Sequence, residues 1–411
     1  MEKDRHILRE LAKAYAELAA HPANGERVSR IKRINGLKPD RPTVWIHEIP
    51  WNEMNFDDHL TLRCEGGLAR EIERFLRSSL YRWKFIQADT VLEPFYALAK
   101  AYTETDYGIS VRERTLSTDD TNRIISHEYA DQLDTLEKVE ALRFPVITAD
   151  PASDLERLAL ARELLGDTLP VKLRGYGIYH APWDVIARYR GVTPILMDLL
   201  ENPALIHRTI ERFTEFYVSR HEQMQAQNLL AHDIPDIHCT PPYSDELPAE
   251  DFDGEHVRFK DVWFRGMAQL FSSISPAMHD EFDLAYMRPM MERCGLAYYG
   301  CCEPLDRFIP YLKKVPNMRK IGVSPWADIT DCARQLGGDY VFARKSNPAF
   351  VAGTFDEDAV RRETAETVEA CLRYHCPYEF VLKDISTVTY KPQNLMRWTE
   401  TVMSTLDTYY S

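Results

Sequence analysis

The sequence has no run of about eighteen apolar residues, and its first ten residues, Met1 to Glu10, are charged where a signal peptide needs an apolar stretch. Neither a membrane span nor a secretory leader is expected, and a soluble, cytoplasmic protein is. It also lacks a basic block. The 50 basic and 64 acidic residues are interspersed, for a formal charge of −14, so nothing is arranged to line a phosphate backbone and nucleic acid is not an expected partner. No internal repeat or low-complexity segment occurs, which excludes a solenoid or a linker-joined array. No Gly-x-Gly-x-x-Gly or P-loop pattern follows a candidate strand, which weakens the competing architecture, an open doubly wound sheet. Cysteine is sparse: eight residues, at 64, 239, 294, 301, 302, 332, 371 and 376. In a long chain with no leader these are expected as free thiols, and those that matter chemically should act as thiolates.

What is present is enough apolar surface for a large core: 45% of 411 residues are apolar and 28% charged. The carboxyl half alternates short apolar runs with helical patterns, the mark of parallel strands joined by crossover helices. Strands are expected at 295–302, 319–324, 339–344 and 379–383. After the first of these, Leu305, Phe308, Ile309 and Leu312 recur at helical spacing. After the second, Ile329, Cys332, Ala333 and Leu336 do so before a Gly337-Gly338 stop. Thr354 to Glu357 reads as a capping box opening the helix that carries Val360, Val368, Cys371 and Leu372. A terminal helix follows from about Pro392.

Upstream, strands are expected at 43–47, around 85–87, at 169–174 and at 234–238, making eight. Long helices fit 154–165 and 203–228, and another begins at Ser275-Pro276. A plain (β/α)₈ barrel needs about 250 residues, so the expectation is an α/β TIM barrel at 41–411 behind an N-terminal helical extension at 1–40. Long insertions at roughly 106–150 and 241–262 would lie over one face.

Several segments resemble landmarks of the uroporphyrinogen decarboxylase superfamily. They are Trp263 to Gln269, Ser275 to Phe282, Leu296 to Asp306, Lys38 to Trp45, Glu201 to Arg208 and Arg344 to Phe350. That superfamily includes porphyrinogen decarboxylases and zinc-dependent methyltransferases that pass methyl groups between small substrates, corrinoid proteins and thiols. The resemblance implies the barrel, a zinc ion, a corrinoid-carrying partner protein and a homodimer. The Arg-rich grip of the decarboxylases is replaced here by Ile46 to Trp51. The His-x-Cys pair of the methyltransferases becomes Tyr299-Gly300-Cys301, and Cys376 precedes the last strand, near the opposite rim.

Parity along the strand at 295–302 places Tyr299, Cys301 and Glu303 on one face, with Cys302 on the other. On the neighbouring candidate strand His238 and Cys239 alternate, so one of the two points inward. Zinc takes His, Cys and carboxylate ligands in a tetrahedron, and a catalytic site needs three of them. His238, Cys301 and Glu303 can supply these, with Cys239 or Cys302 as replacements; the bland alternative for the cysteines is core packing. His47 and Glu48 end the first strand and act as acid and base or simply rim the mouth. Lys383 and Asp384 close the last strand, as a proton-tuning couple or a structural ion pair. Arg174, Tyr176, Tyr179 and His180 are candidates to hold an anionic or aromatic substrate, or to pack as a loop, and Arg344, Lys345 and Asn347 follow the seventh strand.

The leading expectation is a methyltransferase moving a methyl group from a small methylated substrate to a corrinoid protein or a thiol. The alternatives are a decarboxylase acting on a porphyrinogen or a smaller carboxylic acid, and a non-enzymatic binding barrel.

Overall fold

The computed structural model describes residues 2–38, 40–117 and 125–410, so Met1, Pro39, Ser411 and part of the first expected insertion lie outside it. The chain opens with helices Glu2–Ala19 and Ala23–Asn35. In the first of these, Leu8, Ala12, Tyr15 and Ala19 recur at helical spacing and form a buried stripe. The stripe packs with Ile72 and Leu76 of helix Gly67–Phe85 in one apolar cluster.

Strand β1 (Thr43–Ile46) begins the main sheet. Three two-stranded pairs come next in the chain. Strands β2 (Tyr96–Ala99) and β7 (Val171–Arg174) are parallel. Strands β3 (Tyr102–Glu104) and β6 (Ile147–Ala149), and β4 (Glu113–Leu116) and β5 (Ser126–Tyr129), are antiparallel. The main sheet resumes with β8 (Ile178–His180), β9 (Trp263–Gly266), β10 (Leu296–Tyr299), β11 (Met318–Val323), β12 (Val341–Ser346) and β13 (Tyr378–Leu382). Its seven strands run in the order β1-β13-β12-β11-β10-β9-β8, and every pairing is parallel.

Parallel neighbours need crossover connections, and side-chain caps start several of the helices that supply them. Asp150 caps Pro151–Leu165, Ser275 caps Pro276–His279 and Asp328 caps Ile329–Leu336. Helix Glu357–Arg373 is capped by Asp356, whose side chain accepts from the Ala359 amide, and not by Thr354.

Three strand expectations need correction. Residues 234–238 form no strand, because Pro235 offers no amide donor and His238 and Cys239 both have positive φ. The segment turns, with the Ile237 amide donating to the Thr240 carbonyl (2.9 Å). Phe85 is the last residue of helix Gly67–Phe85, so helical propagation overrides the short apolar run there. The run at 169–174 does become β7, yet it pairs with β2 outside the main sheet. Conversely Trp263–Gly266, an apolar stretch interrupted by Arg265, is a fully buried strand.

Strand alternation sorts the main sheet into two faces. Val44, Phe264, Ala297, Tyr299, Ile321, Phe342 and Phe380 share one large cluster with helix residues such as Met287, Leu336, Val368 and Trp398. The opposite, inner face carries Trp45, Trp263, Tyr298, Ala343 and Val381, covered in part by Ile237 and Cys239. It also carries charge. Lys320 of β11 and Glu379 of β13 are 0% and 1% exposed and pair at 2.9 Å, with Thr240 hydrogen-bonded to both.

The outer face holds two fully buried histidines, His180 and His221, whose ring centroids lie 6.1 Å apart against Tyr217 and Phe264. Neither ring has a hydrogen-bond partner among the described residues. Burial pushes His180 down to about 3 and His221 down as well, the latter with help from His180 and Arg220. A base whose folded pKa lies below its unfolded one stabilises the fold only while neutral, so this stability is lost as pH falls through about 6.5. At pH 4.5 the penalty at His180 is about 3 kcal/mol. His180→Leu is therefore expected to move the acid-unfolding midpoint, followed by far-UV circular dichroism, to lower pH. An unchanged midpoint would show that the buried imidazole does not limit acid stability.

Candidate functional site

The carboxyl ends of β1, β10 and β13 meet the 234–240 segment around one sulfur atom. Cys301, two residues past β10, is fully buried. Its Sγ lies 3.6 Å from Cys302 Sγ and 3.7 Å from His238 Nε2, and it accepts a hydrogen bond from Lys383 Nζ. Cys302 in turn donates to Asp384 Oδ2. The ligand atoms of Cys301, Cys302 and Asp384 all lie within 4.8 Å of one another. Lys383, 2% exposed at its side chain, also reaches Asp384 Oδ1 (3.1 Å) and Glu48 Oε2 (3.9 Å).

Local backbone conformation aims these groups. Gly300 has φ +106, and a Cβ there would stand 2.4 Å from the Leu305 side chain and 3.2 Å from the Gly322 backbone. This glycine ends the strand's alternation. Tyr299 and Cys301 therefore do not share a face, contrary to the parity reading. Tyr299 is on the outer side, where its hydroxyl donates to Asp283 (2.6 Å) and lies 2.7 Å from His279 Nε2. His238 and Cys239 do not alternate either, since they are not in a strand. Both turn toward the inner face, His238 to Cys301 and Cys239 to Lys345 Nζ (3.5 Å). Four non-glycine residues around the sulfur, Glu48, His238, Cys239 and Asp384, have φ between 53 and 76. Such backbone strain gathers where surrounding structure holds a functional geometry.

The electrostatics favour a thiolate at Cys301. The hydrogen-bond contact with Cys302 is the largest influence, opposed by burial and reinforced by His238, Arg265 and Lys383, and together these pull its pKa far down. The neighbouring Cys301 sulfur and burial push Cys302 up, so it keeps its proton, which it donates to Asp384. Burial works against the Lys383 ammonium, but the thiols of Cys239, Cys301 and Cys302 outweigh it and raise its pKa. Burial, then the Cys301 charge, lifts Glu303 to about 7 and Asp184 to about 6.

The remaining sequence candidates are dispersed. Glu303 accepts from the backbone amides of Cys301 (2.8 Å) and Ala268 (3.2 Å), so its carboxylate holds the loop and is not in the cysteine cluster. His47 Nδ1 faces Asp236 (4.0 Å), and the Glu48 carboxylate accepts from the Asp384 amide (2.9 Å). Arg174 is clamped by Glu93 (2.7 and 2.9 Å) with Asp233 at 3.5 Å. Tyr176 donates to the Lys100 carbonyl, and Tyr179 lies 5.1 Å, ring to ring, from His238. Two residues placed in the mouth by sequence need correction, because strand alternation turns both outward: His180 is in the outer core, and Arg344 pairs with Glu363 (3.2 Å) of helix Glu357–Arg373. Asn347 lies just past β12, its side chain accepting from the Ala349 amide (3.0 Å).

Sequence reasoning missed Arg265 and Asp184. Arg265 is 1% exposed, and its guanidinium lies 4.3 Å over the Tyr298 ring. An arginine inside an otherwise apolar strand was the available signal. Asp184, in the first turn of helix Pro182–Arg190, gave none beyond a common acidic first-turn residue.

Two cavities flank the cluster. One of about 820 Å³ is bounded by Glu48, Trp51, Phe75 and Ile385. The other, about 380 Å³, is lined by Tyr176, Tyr179, Ile234, Asp236, His238 and Arg265, among others.

No family model matches this sequence, and no curated protein matches it either. Among solved structures, a methyltransferase from Methanosarcina mazei aligns over 94% of this chain and 99% of its own, with 11% sequence identity and a TM-score of 0.49.

Proposed function

We infer that this protein is a methyltransferase whose reacting centre is the Cys301 cluster. The methyl group would pass from a small methylated substrate to a corrinoid protein or a thiol. One observation carries the reading: a buried cysteine at the carboxyl ends of parallel strands has a second thiol, an imidazole and a lysine in contact with its sulfur and a carboxylate within ligand range of both thiols. Strand carboxyl ends are where (β/α)₈ enzymes keep their chemistry. In our reading the seven parallel strands are most of such a ring, and the 86–89 segment is its eighth member, supported by the hydrogen bonds exchanged between Asp89 and Val44 of the edge strand β1.

The donor set fits zinc. Sulfur ligands about 2.3 Å from a tetrahedral metal lie about 3.7 Å apart. Cys301 Sγ is 3.6 Å from Cys302 Sγ, and with Asp384 they make a group of three donors that leaves a fourth position open; His238 Nε2, 3.7 Å from Cys301 Sγ, is outside that group. This set keeps Cys301 and Cys302 from the sequence candidates, replaces Glu303 with Asp384, leaves Cys239 to Lys345 and sets His238 beside Cys301 without making it a ligand. Zinc bound there would keep a thiol deprotonated near neutral pH. The chain's own contribution is charge and position. Lys383 and Arg265 favour the Cys301 thiolate, Asp384 takes the Cys302 proton in a hydrogen bond, and burial excludes water from the sulfur.

The decarboxylase reading loses support, since Arg174 and Arg344, two of the cations it relied on, are bound to Glu93 and Glu363. Protein purified without chelator is expected to carry one zinc per chain, and to transfer methyl groups from at least one methoxy or methylamine donor to reduced corrinoid or a thiol. Absence of stoichiometric zinc would remove the metal from the proposal, and absence of transfer across the donor panel would remove the methyltransferase.

A further inference from the structure

We propose that the 380 Å³ cavity beside His238 binds a small carboxylate, with Arg265 as its anchor. Arg265 extends from the inner face of β9 and is 1% exposed, so its charge is taken out of water almost completely. Burying a cation is tolerated when an anion or a full set of acceptors receives it. Among the described residues Arg265 has no hydrogen-bonded anion and no full set of acceptors; the Cys301 thiolate acts on it only through space. Its hydrogen bonds go to the Gly266 carbonyl and, at 3.6 Å, to the Met267 thioether, a weak acceptor. Nε has no partner among the described residues. Among the described residues no carboxylate pairs with it, whereas Lys320 has Glu379 and Arg174 has Glu93.

The remaining cavity wall does not neutralise this charge. Asp236 accepts from the Cys239 amide (3.2 Å) and faces His47 (4.0 Å), and Arg174 is held by Glu93. Apolar surface from Ile178, Ile234 and Pro235, together with the Tyr179 ring, suits the body of a small organic acid, and a planar guanidinium suits two carboxylate oxygens. Such a molecule would lie against His238, whose Nε2 is 3.7 Å from Cys301 Sγ, and so beside the thiolate.

What happens to the bound acid rests on the methyltransferase reading, but its binding does not. The test is therefore calorimetric titration of metal-free protein, with methoxyacetate and 4-methoxybenzoate as probes and their primary amides as neutral controls. At least one acid is expected to bind roughly tenfold or more tightly than its amide, as expected for a charge-assisted pair. Arg265→Met is expected to abolish that preference, and Arg265→Lys to retain part of it. Because a buried cation is removed, each variant is first checked for native circular dichroism; should Arg265→Met not fold, Arg265→Lys and Tyr179→Phe decide. Equal affinity for acids and amides in the native protein, or no binding of either, overturns the proposal. So does a preference unchanged in a folded Arg265 variant. Loss of methyl transfer with the acid preference intact would overturn the reaction and leave this site standing.

Discussion

Cys301→Ser is expected to lower methyl transfer by about 10³-fold or more, the scale of loss when a central reacting group is removed. Serine nearly matches the thiol in size, so the buried pocket that holds Cys301 at 0% exposure should keep its shape. What changes is chemistry. A serine hydroxyl does not ionise under the influence of Lys383 and Arg265, and oxygen is a poorer partner than sulfur for zinc beside Cys302. Two controls separate the cluster from its surroundings. Cys294→Ser alters a buried thiol whose Sγ donates to the Met290 carbonyl and should leave turnover unchanged. Cys302→Ser retains a hydroxyl donor toward Asp384 and should fall between the two. The measurements are turnover with a fixed methyl donor, bound zinc per chain and near-UV circular dichroism. Turnover of Cys301→Ser within tenfold of the native protein would move the reacting centre elsewhere.

Glu379→Ala is expected to cost about 3–5 kcal/mol of stability, the usual loss when one partner of a buried ion pair is removed. Any charge on Lys320 would then be held at 0% exposure with, among the described residues, only Thr240 left as a hydrogen-bond partner. Burial already pulls the Lys320 pKa down against the opposing pull of Glu379, so the lone lysine should surrender its proton more readily in the variant. Urea unfolding at neutral pH measures the loss. The double variant Lys320→Met/Glu379→Leu should regain much of it, because two apolar side chains remove the unpaired charge. A loss below 1 kcal/mol for Glu379→Ala would mean that water or a neighbouring anion reaches Lys320.

Much of the architecture was readable before any coordinates. The apolar runs at 319–324, 339–344 and 379–383 became β11, β12 and β13, because each is a short β-rich stretch followed by a helix, capped by Asp328 after β11 and by Asp356 after β12. The upstream half was less regular. Pro235 and the left-handed His238-Cys239 pair turned an expected strand into a covering loop, and the β9 strand was hidden by the charge of Arg265. At the candidate site, the types Cys301, Cys302, His238, Lys383 and Asp384 were all suspected, but their arrangement was not. Parity fails after Gly300, and that one glycine decides that Tyr299 and Cys301 part company.

The sequence by itself determined the alternation of strands and helices, the absence of a long apolar helix and the presence of thiols, imidazoles and cations at strand ends. Those are local properties, set by spacings of two to four residues. Only the tertiary structure decided that His238 and Cys301, 63 residues apart, and Cys302 and Asp384, 82 apart, share one cluster. It alone showed Glu303, Arg174 and Arg344 engaged elsewhere, and Arg265 buried with no carboxylate paired to it among the described residues. Such convergence depends on how the parallel sheet brings its strand ends together and on which way each backbone turns there, and no short-range pattern encodes either.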